Sequence, residues 1–508
     1  LFFLRAQDLL RGLCSTLEVV QSPLKIFYKI AREALFNSRQ KNDCLELREM
    51  SSQHLGQHKF RKLNSILVKD LKRALEDMVS TEVIAGCQCA VVQGGFIVAD
   101  VTAGHQNSKG PSQQVQPYSL FNSFSCTKAF TATALHLLVQ DGLIASYDDL
   151  VIKYWPEFGE KHPDLTISHL LTHRARMQHA MPEKITFEQF CDFDYMCTAM
   201  CDIPSDKKTE EELQDSKVGQ YHYLSFGWLV GGLVHAVSGQ SFQEFVTSRI
   251  FRPLHLETEA MIGVQKDWLE PESVHYSRLA TLDPSNMVEG GNNNRDDSDG
   301  VDIGELDQIT ERISAGVEKL KTSFDGKKKN SSVKQLLEDL KTKSFLFDMK
   351  VYNSKKVRHS VIPAANGHFS ARAIAMFYDL LAPTANMRTG TSPLLSSATI
   401  ANATQITHSF AKFQVEDGHE MESEFGLGYR RFGFSVDNAK TKYAFGHGGV
   451  GGSMGMSIPH AGVTIGLTVN RLQRKSIVFK RVLDVLQSHF PEVGTPTFFM
   501  GDNLPASS

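Results

Sequence analysis

Apolar residues first recur at helical spacing at Leu67, Val68, Leu71, Ala74, Leu75 and Met78, which predicts an amphipathic helix lying against a core. The period then changes. Gly86 opens two short β-prone runs, Cys87 to Val92 and Phe96 to Val101, and Gln93-Gly94-Gly95 joins them into a predicted hairpin. A polar loop from Gly104 to Pro117 follows. Ser125 to Asp141 reads as a strongly apolar helix with Gly142 just past its end. Helical and loop sequence continues to about Leu254 and includes the amphipathic run Trp228 to Val237. From about Gly426 the period falls to two. Tyr429 to Val436, Tyr443 to Gly446, Ser453 to Pro459 and Val463 to Val469 predict strands with short turns, and Ile477 to Phe490 a closing amphipathic helix. This order predicts an α/β (α+β) fold in which a mostly helical domain interrupts a sheet.

The pattern also divides the chain. Residues 1–60 read as a polar, helical N-terminal extension. Residues 284–302 are rich in Asn, Asp and Gly, a composition that favours disorder, and helical spacing resumes from Ile303 to Leu320. Residues 284–342 are therefore expected to be an exposed insertion in a catalytic region spanning 61–490, with 491–508 as a tail. The chain opens on Leu1 rather than Met, so a preceding segment is expected.

Composition narrows the function classes. A net charge of −3 over 508 residues offers no general basic field for nucleic acid. Eight cysteines without a Cys-x-x-Cys pair argue against a disulfide scaffold and favour the interior of a cell, in a compartment that composition does not specify. Cys87 and Cys89 share one face of their strand and read as small core residues. No P-loop and no His-Glu-x-x-His pattern occurs, so neither a cofactor nor a metal is expected. The apolar opening Leu1 to Leu4 is cut by Arg5, and no transmembrane segment is expected.

Candidate chemistry begins with Ser-x-x-Lys, which occurs six times, starting at Ser22, Ser38, Ser125, Ser205, Ser331 and Ser409. Only Ser125 starts a strong apolar helix. A serine there also suits plain helix capping. Positions i and i+3 share a helix face, so Lys128 can reach the Ser125 hydroxyl. Burial would make that lysine a base, and the helix N-terminus adds positive potential where an oxyanion would form.

The wider sequence resembles the serine β-lactamase-related and penicillin-binding-protein-like hydrolase family. Phe121 through Ala132 resembles its nucleophile helix, Leu150 through Phe158 the next segment, and Thr166 through His173 the following loop and helix. Tyr221-His222-Tyr223 resembles the segment whose leading Tyr is the second proton carrier, a role that falls on Tyr221. Relatives often carry a substrate-contacting Asn where Tyr223 stands, so this chain resembles the esterase branch. Phe445 through Ser453 resembles the Lys-Thr-Gly strand in a His-x-Gly variant. The resemblance implies that His447 lines the site and that Gly448 and Gly449 let substrate lie along the strand edge. It also implies that the Val450 and Ser125 N–H groups form the oxyanion hole. Pro363 through Arg372 resembles a further family segment. The implied fold is β-lactamase/transpeptidase-like, an antiparallel sheet flanked by helices plus a mostly helical domain.

Several features depart from this pattern or imitate another. Gly451-Gly452-Ser453-Met454-Gly455 imitates a nucleophile elbow, but a strand-like run follows it instead of a helix. Gly446 through Gly451 fits Gly-x-Gly-x-x-Gly yet opens no helix. Arg176 stands near where relatives have Gly, and is expected to narrow the pocket or bind an acidic group. Leu4 to Leu35 weakly resembles the end of an atypical kinase-like family linked to quinone biosynthesis, which implies fusion to such a domain without its catalytic motifs. The resulting expectation is esterase-like acyl hydrolysis of a small ester or amide by Ser125, Lys128 and Tyr221. The alternatives are β-lactamase or peptidase activity, and an inactive scaffold of the same fold.

Overall fold

The computed structural model describes residues 64–107, 113–287, 345, 348–381, 393–414, 420–436, 440–473 and 477–497, all within the unit Gln57–Ser508. The kinase-like stub, the 1–60 extension and nearly all of the 284–342 insertion lie outside the described residues.

The first helix, α1 (Ser65–Ser80), is capped by the Asn64 side chain, which accepts the Leu67 N–H. It buries Leu67, Leu71, Ala74, Leu75 and Met78, the stripe its periodicity predicts. The hairpin follows as β1 (Gly86–Gln93) and β2 (Phe96–Gly104). The C-terminal strands are β9 (Arg430–Val436), β10 (Lys440–Gly448), β11 (Met454–Ile458) and β12 (Val463–Val469). Three further strands, β4 (Val218–Gln220), β7 (Ser409–Gln414) and β8 (Glu420–Phe425), extend the main sheet. Its order is β2-β1-β12-β11-β10-β9-β8-β7-β4, antiparallel except for the β4–β7 pair. A small sheet joins β3 (Phe121–Asn122), β6 (Gly367–Phe369) and β5 (Ala260–Ile262).

The two faces of the main sheet are covered differently. On one face, α1 and the C-terminal helix α5 (Ile477–His489) pack on Cys87, Cys89, Met454, Met456, Ile465 and Leu467. Full burial of a Leu or Val side chain is worth about 1.5–3 kcal/mol, so this layer is a main source of stability. Helix α4 (Ala371–Leu381) takes the other face. The residues beneath it are small. Gly455 pairs with Gly466, and a Cβ on them would lie 2.3 Å from Tyr378 and 1.8 Å from the Ala371 carbonyl, respectively. His447 pairs with Gly455 and therefore shares the α4 face.

Two further helices build the site. They are α2 (Thr127–Gln140) and α3 (Ser225–Ser238). Helix α3 is buried from Ser225 to Val234, so it is a core helix rather than an amphipathic one. Residues 491–497, expected as the start of a tail, carry a short 3-10 turn and strand β13 (Thr495–Pro496), which pairs with β9.

Candidate active site

The loop that carries Ser125, the expected nucleophile, is shaped by local chemistry. The Asn122 side chain accepts the Phe124 N–H at 2.9 Å, and Phe124 takes φ 43°. A left-handed residue of this size costs about 1–3 kcal/mol and persists only where its surroundings hold it. Here the buried Phe124 ring meets Tyr352 edge-on at 5.0 Å. Ser125 follows in the turn just ahead of α2, and Lys128 lies in the helix's first turn.

Lys128 is fully buried. Its Nζ reaches Ser125 Oγ at 3.0 Å, Tyr223 O at 2.7 Å and Ala364 O at 3.1 Å. Among the described residues it has no carboxylate partner. Burial lowers its pKa to about 7, with the Cys126 sulfur acting in the opposite sense. The Ala364 carbonyl is held in place by α2 itself. Thr131 Oγ1 donates to Pro363 O, and Thr127 Oγ1 accepts the Gly367 N–H at 2.9 Å.

Tyr221 and His447 close the opposite side. The Tyr221 hydroxyl neighbours the Ser125 side chain and lies 3.4 Å from His447 Nε2. Burial raises the Tyr221 pKa above its ordinary value. His447 Nδ1 lies 2.8 Å from Gly448 O, which can only accept. The imidazole proton is thus on Nδ1, and Nε2 accepts from the Tyr221 hydroxyl. Burial first, then the Lys128 charge, push the His447 pKa down to about 3.

The remaining predicted residues lie around this centre. The Tyr223 ring is exposed and meets Tyr221 edge-on at 4.9 Å, while its carbonyl binds Lys128. The Gly449 N–H donates to Ser453 O at 2.8 Å, which leaves the Val450 amide next in the turn. A Cβ on Gly449 would lie 2.2 Å from Ser123 O, so only glycine lets this turn approach the nucleophile loop so closely.

The decoys separate cleanly. Ser453 Oγ is buried and accepts the Val469 N–H at 3.2 Å. Ser205 bonds His162, and Ser409 opens a strand instead of a helix. Ser22, Ser38 and Ser331 lie outside the described residues. Arg176 requires a correction. It adopts φ 57°, the conformation glycine favours, and its guanidinium holds Asp164 at 2.6 Å. The acidic group it binds belongs to the chain itself. Sequence reasoning also missed Ala364, His173 and His222. A backbone carbonyl has no residue-type signal, and the two histidines sat inside recognised segments without an assigned role.

The family described as Beta-lactamase matches residues 71–487. An esterase/beta-lactamase of Mycobacterium tuberculosis, LipL, is 25% identical over 410 residues, covering 79% of this chain and 80% of LipL. A penicillin-binding protein homolog from Caulobacter crescentus superposes with a TM-score of 0.60 at 22% identity, over 84% of this chain and 97% of its own. A family VIII carboxylesterase gives 0.61 at 20% identity, over 84% and 98%. These two structures share the fold.

Proposed function

The chain belongs to the beta-lactamase family of serine hydrolases, and on that footing we propose that it cleaves carboxylic esters by acyl transfer through Ser125. One observation carries the reading: Lys128 Nζ lies 3.0 Å from Ser125 Oγ while two carbonyls take its other hydrogen bonds. A neutral amine has two N–H donors and one lone pair. With the donors on Tyr223 O and Ala364 O, the lone pair is left for the Ser125 hydroxyl. A pKa of about 7 makes that neutral form available at physiological pH.

Lys128 takes the Ser125 proton as Oγ attacks the ester carbonyl. The Ser125 and Val450 N–H groups stabilise the oxyanion. Tyr221 passes its proton to the departing alkoxide and recovers one from the Lys128 ammonium. Neutral His447 holds the Tyr221 hydroxyl in position. Water, activated by the same groups, then releases the acid from Ser125. No metal or organic cofactor enters this scheme.

Two features favour an ester over a β-lactam. His447 is uncharged at neutral pH and offers no cation to a β-lactam carboxylate. Tyr223 supplies an aromatic ring where an amide-binding Asn would stand. The test compares a short-chain nitrophenyl ester with a chromogenic β-lactam, and fluorophosphonate labelling of wild type with Ser125→Ala. Ester turnover with labelling that disappears in Ser125→Ala is expected. Labelling that survives the substitution, or none in wild type, refutes the reading.

A further inference from the structure

The loop that carries Tyr221 is held from behind by an imidazole to which the acyl-transfer scheme assigns no role. His173 is 1% exposed and takes φ 59°. Its Nδ1 accepts the His222 N–H at 3.2 Å. The ring proton therefore sits on Nε2, which is buried and has no hydrogen-bond partner among the described residues. Burial above all holds the imidazole well below its ordinary pKa, with positive charge on Lys128 acting in the same sense, so the Nδ1 lone pair persists. The ring packs against Tyr221 at 4.6 Å and Phe226 at 5.1 Å, and meets Phe425 edge-on at 4.8 Å.

A phenyl ring would fill this space without the buried, unpaired N–H, which costs about 1–3 kcal/mol. What imidazole alone supplies is the acceptor. A second tie reinforces the first. His222 Nε2 accepts the Met177 N–H at 3.2 Å, and its Nδ1 donates to Gln220 O at 2.6 Å. Two histidines thus cross-link the 173–177 loop to the 220–223 segment.

We propose that His173 is a positioning residue for acyl transfer: by accepting the His222 N–H it fixes the Tyr221–Tyr223 backbone, and so both the Tyr221 hydroxyl and the carbonyl that orients Lys128. This inference rests on the Ser125–Lys128–Tyr221 reading. Two substitutions separate the acceptor from the ring. His173→Phe keeps a ring and loses the acceptor. His173→Asn keeps an acceptor at the same distance from the backbone and tolerates positive φ.

Steady-state kinetics on the nitrophenyl ester, with thermal melting as the folding control, read the outcome. His173→Phe is expected to lower kcat about 100-fold with KM within about twofold, the signature of misplaced catalytic groups. His173→Asn is expected to restore most of that kcat. Should His173→Phe fail to fold, His173→Ala against His173→Asn carries the same comparison. Wild-type kcat in the acceptor-less variant overturns the proposal, as does an equal loss in a folded His173→Asn. Ser125→Ala runs in parallel, and turnover surviving there defeats the nucleophile assignment independently of His173.

Discussion

Replacing Lys128 by Met tests the neutral amine directly, because the two side chains have similar length and only one titrates. Burial holds Lys128 at about 7, against 10.5 for an ordinary lysine. Between those values the unfolded chain binds more protons than the folded one, so stability rises with pH across the window. Each pKa unit is worth about 1.4 kcal/mol. At pH 7 the unfolded lysine is fully charged and the folded one half charged, a linkage cost of about 4 kcal/mol. At pH 9 the cost has fallen to about 2 kcal/mol. Wild type should therefore gain about 2 kcal/mol relative to Lys128→Met between pH 7 and pH 9. The variant also strips a donor from Tyr223 O and Ala364 O, at about 1–3 kcal/mol for each carbonyl left unpaired. That penalty does not depend on pH and cancels from the comparison. Urea unfolding of both proteins at pH 7, 8 and 9, followed by tryptophan fluorescence, measures the difference. Parallel pH dependences in the two proteins would refute a depressed Lys128 pKa, and the general-base role with it. Ester hydrolysis supplies the companion readout, since kcat/KM should fall on the acid side of about pH 7 as the amine gains its proton.

Two more substitutions probe the frame around the site. Gly449→Ala places a Cβ 2.2 Å from Ser123 O, so the turn must move away from the nucleophile loop. A loss of about 100-fold in fluorophosphonate labelling rate is expected, with a melting temperature only modestly lowered. Arg372→Leu removes the guanidinium that binds the buried Glu259 carboxylate and lies 3.4 Å from Asp100. Urea unfolding should show a loss of about 3–5 kcal/mol, much of it regained in Glu259→Leu/Arg372→Leu.

Legibility from sequence followed the length and purity of each pattern. The hairpin, α2, the C-terminal strands and α5 were read within a few residues, because each is a long run of one period. Strands β7 and β8 were missed. They carry Lys412, Glu420, Glu422 and Glu424, and their polar faces dilute the apolar alternation. β3, β4, β5 and β6 are two or three residues long and exist only through tertiary pairing. Within the site, the side chains were legible and their environment was not. The pair Ser125–Lys128 follows from i, i+3 spacing, but five other Ser-x-x-Lys matches share that spacing. In the sequence the distinction is the apolar helix that starts at Ser125; the two carbonyls that hold the Lys128 amine leave no residue-type signature.

In the proposed site, substrate choice and the base are separable at Tyr223. The residue serves two directions at once. Its carbonyl lies 2.7 Å from Lys128 Nζ, and its ring is 44% exposed at the mouth of the site. The carbonyl position is set by the backbone of the 220–223 segment, which His173 and His222 tie to the neighbouring loop. A change of side chain at 223 therefore alters what the mouth presents while the amine keeps its acceptor. His447 divides in the same way. Its proton on Nδ1 is consumed by Gly448 O, so the ring meets Tyr221 only as an acceptor and brings no charge. In the proposed acyl transfer, Tyr223 and His447 thus act at the substrate face, while the backbone behind them holds the Ser125–Lys128 pair in place.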